Sequence, residues 1–70
     1  MAVKGWSFWA AQGTKRIVVY VGNSDRDEAL RLGVEEAGDF TVEREVAMDA
    51  ATLKFIGVGP NEVTVGTVQQ

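Results

Sequence analysis

The sequence predicts a single small α+β domain over residues 1–70, an antiparallel sheet of four or five strands with one helix packed on a face. Three observations predict it. The run Ile17-Val18-Val19-Tyr20-Val21 is apolar at five consecutive positions, as a strand covered on both faces is. Asp25 to Ala37 is amphipathic at helical spacing and is followed by Gly38, a residue suited to the position just past a helix. Most of the remaining chain alternates apolar with polar residues, which is the two-residue period of strands.

Val3 to Ala11 reads as the first strand. Trp6, Phe8 and Ala10 share one face and Ser7 and Trp9 the other. Gln12-Gly13 suits a two-residue hairpin turn, because glycine tolerates positive φ. That register sets Phe8 opposite Ile17, Trp6 opposite Val19 and Trp9 opposite Arg16, where a cation–π contact is possible. Arg16 to Val21 is the second strand. One of its faces holds the helix. The other needs a second sheet, a ligand or a subunit, and a subunit is the economical answer; otherwise Val18 and Tyr20 form a partly exposed patch.

The helix has start signals in Ser24 with Asp27, or Asp25 with Glu28, at capping-box spacing. Asn23, Asp25 and Asp27 alternate like calcium ligands. However, Glu28 stands where such a loop needs glycine and Val34 where it needs glutamate, so capping explains these acids better. Leu30, Gly33, Val34 and Ala37 define the predicted inner face, and Leu32 falls on the opposite side. Phe40 to Val46 is a half-exposed strand, with Phe40, Val42 and Val46 inward, Glu43 and Glu45 solvated, and Arg44 anomalous on the apolar side.

Asp49 to Val58 supports two readings. Thr52 to Val58 is rich in strand formers, whereas Asp49 could cap a short helix stopped by Gly57. The turn-forming Gly59-Pro60-Asn61-Glu62 favours the strand, as half of a hairpin with Val63 to Val68. Gln69-Gln70 reads as a frayed end. The preferred order is therefore β-β-α-β-β-β, with β-β-α-β-α-β ranked below it.

The composition excludes much chemistry. The chain has no cysteine and no histidine. Disulfides are thus excluded, the commonest metal ligands are missing, and the Cys–His and Ser–His nucleophile pairs cannot form within one chain. Gly57, Gly59 and Gly66 do not make a phosphate-binding loop. The sequence therefore predicts no enzyme, no cofactor and no metal site. It contains no membrane-length apolar run and no signal-peptide pattern at its start, and the expectation is a cytoplasmic protein.

Charge divides the chain. Residues 1–22 carry Lys4, Lys15 and Arg16 and no acid, whereas residues 23–52 carry nine acids against Arg26, Arg31 and Arg44. The net charge of −3 weakens whole-surface binding to nucleic acid or an anionic membrane. Two function classes remain. The first is a protein-interaction module that forms a homo-oligomer, a dimer or larger, through Val18, Tyr20 and Leu32, with an acidic helix surface that could meet a basic partner. A 70-residue core supplies little net stability, which favours self-association. The alternative is nucleic-acid binding by the first hairpin, with Trp6 and Trp9 stacking on bases and Lys4, Lys15 and Arg16 meeting phosphates.

Overall fold

The computed structural model describes residues 2–68; the predicted frayed end, Gln69-Gln70, lies outside them. The elements are β1 (Gly5–Gln12), β2 (Lys15–Val21), α1 (Arg26–Ala37), β3 (Thr41–Met48), α2 (Ala50–Ile56) and β4 (Val63–Thr67). The four strands form one antiparallel sheet in the order β3-β1-β2-β4. The domain is α+β, and it takes the second of the two expected orders.

The correction falls on residues 50–56, which form a helix rather than a strand. Asp49 caps it by accepting a hydrogen bond from the Thr52 amide at 2.8 Å. Gly57 closes it at φ 90°, and the amides of Gly57 and Val58 both donate to the Leu53 carbonyl. Both termini are therefore satisfied within nine residues, so the strand propensity of Thr52, Phe55 and Ile56 does not prevail. The Gly59–Glu62 turn forms, but it joins α2 to β4. The strand that pairs with β4 is β2, with Val63 opposite Val21 and Val65 opposite Val19.

The first hairpin turns at Gly13-Thr14, with Gly13 at φ 63° and Gln12 opposite Lys15. The register is two residues away from the expected one. Phe8 meets Val19, Trp6 meets Val21, and Trp9 meets Val18 rather than Arg16. A slip of two residues keeps every side chain on its expected face.

The main core lies between the sheet and α1. Phe8, Ala10, Ile17, Val19, Val21 and Ala29 are buried there. The inner face of α1 is turned from the expected one. Ala29 and Gly33 are buried, Leu32 packs against the core, and Val34 lies outside, 43% exposed. Gly33 has a packing reason: a Cβ there would come within 3.2 Å of the Val19 side chain, so the helix can sit close to β2.

A second, smaller cluster gathers Met48, Leu53 and Val58, with Tyr20 and Ile56 against it. It covers one end of the opposite sheet face. Leu53 packs so closely on β1 that a Cβ at Gly5 would meet it at 2.9 Å.

Candidate functional site

The sheet face away from α1 is built from Ser7, Trp9 and Ala11 of β1, and Arg16, Val18 and Tyr20 of β2. β3 and β4 flank them. A β-bulge decides what β3 adds. Its register against β1 shifts between Trp9 and Ala10, so that Ala10 pairs with Val42 but Trp9 pairs with Arg44 and Ser7 with Val46. The extra residue reverses the faces. Val42 stays on the α1 side, while Arg44 and Val46 move to the open side. This corrects the expected placement of both residues and removes the anomaly of an arginine among apolar neighbours.

The open face is apolar at its centre and lightly charged. Val18 is buried at 6% exposure between Trp9 and Gly66. Ser7 is also buried, and its hydroxyl donates to the Val46 carbonyl at 3.2 Å, so it adds no unmet polar demand. Trp9 stands 38% exposed, with Arg44 beside it on β3. Arg16 is paired with Glu43. Arg44 has no ion-pair partner among the described residues.

At the end of this face, α2 turns Leu53 and Ile56 inward. Phe55 lies about 200° around the helix from Leu53, and it is 93% exposed. Sequence reasoning missed Phe55 because the strand reading gave it an ordinary alternating position.

The α1 side differs in charge. Arg26 bridges Glu45 and Asp27, and Arg31 bridges Glu28 and Glu35. Hydrogen bonding from these arginines holds the Glu45 and Glu28 carboxyls below their ordinary range. Asp25 is the cap: its side chain accepts from the amides of Asp27 and Glu28, and Glu28 turns to Arg31 instead of completing a capping box.

Of the residues proposed for a nucleic-acid surface, Trp9 and Arg16 share the open face and the others lie elsewhere. Trp6 is on the α1 side, half-buried, and its indole N–H donates to the Ser24 carbonyl at 3.0 Å. Trp9 is on the open side. Lys4 is at the start of β1 and Lys15 at the hairpin turn, at opposite ends of the strand pair. Of the proposed interface residues, Tyr20 and Val18 share the open face. Leu32 is on the other side of the sheet, against the main core.

A groove of about 570 Å³ opens beside α2. Lys4 and Lys54 stand on it, and Leu53, Val58 and Pro60 line its walls. No helix among the described residues is long and apolar enough to cross a membrane, and no group of three or more His, Cys, Asp or Glu side chains placed to hold a metal ion occurs among them. No protein-family model, characterised protein or solved structure matches the chain.

Proposed function

We propose that the protein is a binding module, not a catalyst, and that the open sheet face docks a second copy of the chain. The observation that supports this reading is the exposed Trp9 on the open sheet face, beside the buried Val18; the exposed Phe55 stands on the outer side of α2, the helix that covers one end of that face. Exposed apolar surface of this kind marks interaction sites.

Charge favours a second copy as the occupant. The acids of α1 and the ion pairs around it lie on the opposite side. Pairing through the open face keeps those acids apart, and the Glu43 carboxylate already has Arg16. Size sets the extent of contact. Four strands about 4.8 Å apart and up to about 26 Å long present roughly 500 Å². A standard interface takes about 800 Å² from each partner. The contact must therefore extend over α2, where Phe55 stands. The acidic α1 side remains outside the pair, free to meet a partner with a basic surface.

Nucleic-acid binding is the weaker reading, because Trp6 faces away from Trp9 and Arg16 is already neutralised by Glu43. Solution mass by light scattering tests the proposal at low and high salt. The expected result is a salt-resistant dimer or larger species, with Trp9→Glu and Phe55→Ser giving folded, lighter species by circular dichroism and mass. A monomer at every concentration overturns it. So does an oligomer that salt dissolves, which would indicate pairing of opposite charges instead.

A further inference from the structure

The groove beside α2 runs against the chain's acidic balance. The chain has ten acids against seven lysines and arginines, yet no acid lines this groove, and two lysines do. Arg16, Arg26 and Arg31 are all taken up in ion pairs. Lys4 and Lys54 have no ion-pair partner among the described residues. The groove is therefore lined by two lysines and by no acid, with the Glu62 carboxylate held behind its Gly59 wall.

Its floor is tied in place. Gly22 donates to the Glu62 carbonyl at 3.0 Å and accepts from the Asn61 amide at 2.8 Å. The Asn23 side-chain amide donates to the Asn61 side-chain oxygen at 2.9 Å, and the Glu62 carboxylate accepts from the Gly59 amide at 2.6 Å. Gly22 lies so close to Gly59 that a Cβ at position 22 would collide with the Gly59 carbonyl oxygen. The loops that shape the groove are thus fixed before any ligand arrives, which reduces the ordering cost of binding.

We infer that this groove binds a small organic acid, with its anionic head between Lys4 and Lys54 and its apolar body against Leu53, Val58 and Pro60. The volume of about 570 Å³ falls within the range of small-molecule sites, which are mainly apolar with a few placed polar groups. Lysine meets the head as a point charge without requiring one planar geometry. Neither Trp9 nor Phe55 lines the groove, although α2 contributes to both surfaces.

The test is a titration followed by backbone amide NMR, with sodium octanoate as the probe. Octanol supplies the body without the charge, and sodium acetate the charge without the body. Octanoate should give saturable shifts at Lys4, Asn23, Leu53 and Gly59, in wild type and in Trp9→Glu alike. Octanol and acetate should each bind about tenfold more weakly, and the exposed double variant Lys4→Gln/Lys54→Gln should lose about tenfold in affinity with its spectrum otherwise unchanged. Three results overturn the inference: no saturable shift with octanoate, equal binding of octanol, or undiminished binding by the double variant. Shifts centred on Trp9 and Phe55 would overturn it as well.

Discussion

The two faces of β1 and β2 carry similar side chains and meet different fates. On the α1 side, Phe8 and Val19 are fully buried beneath a twelve-residue helix. On the other side, the neighbouring Trp9 is 38% exposed, and the cover is a seven-residue helix with one buried residue, Leu53. A full helix covers the centre of the first face and leaves Val65, at its β4 edge, exposed. The second is closed at one end only, and Trp9 is left uncovered on it with Arg44 alongside. One face therefore holds the domain together, and the other is available to bind.

The largest expected effect breaks the first face. Phe8→Ala removes a fully buried ring from the main core and should cost about 3–5 kcal/mol. That is comparable with the whole net stability expected of so small a domain. Trp9→Ala, one residue along on the open face, should cost about 1–2 kcal/mol, since part of its surface is already in water. Urea unfolding measures both. Phe8→Ala should be largely unfolded without denaturant, while Trp9→Ala should stay folded and lose its self-association. Equal losses of stability would mean that the two faces are not distinct in this way.

A sharper form of the comparison concerns the two sides of α1. Sequence periodicity places Val34 inside and Leu32 outside, and the structure reverses them. Leu32→Ala should therefore cost about 1–2 kcal/mol, as a half-buried truncation does. Val34→Ala should stay within about 0.5 kcal/mol of wild type. Thermal or urea unfolding of the two variants decides it, and the reverse ranking would restore the sequence-based face.

These reversals show where local pattern stops carrying information. The α+β class, the first hairpin, α1 and the last strand were legible, because apolar runs, caps and turn residues mark them locally. The cap at Asp49 and the stop at Gly57 were legible too, but they competed with the strand formers between them. The β-bulge left one mark in the sequence, Arg44 on the expected apolar side, and only pairing with β1 shows that a residue there is extra. The open face was anticipated through Val18 and Tyr20. The exposed Phe55 depended on α2 being a helix, and the groove depended on loops distant in sequence, 22–24 and 58–61, coming together.

The smallest expected effect concerns the weaker cover itself. Hydrogen bonds from Thr52 hold the Asp49 carboxyl below its ordinary range. A depressed carboxylate contributes stability that is present above its unfolded value, near pH 3.9. That contribution is lost as pH falls through the lower, folded value. Because α2 has one buried residue, Leu53, with Ile56 only partly buried beside it, the loss should appear locally before it appears globally. Hydrogen-exchange protection, corrected for intrinsic rates, should fall for the amides of Leu53 and Lys54 as pH is lowered through this range. The amides of Ala29 and Gly33 should change less: Arg26 and Arg31 also lose their carboxylate partners there, but the apolar packing beneath α1 does not titrate. Asp49→Asn keeps a competent cap without the charge and should remove the cap's share of the fall in α2 protection. If α1 and α2 instead lose protection in parallel, the two covers open as one unit, and the open face is no more mobile than the core behind it.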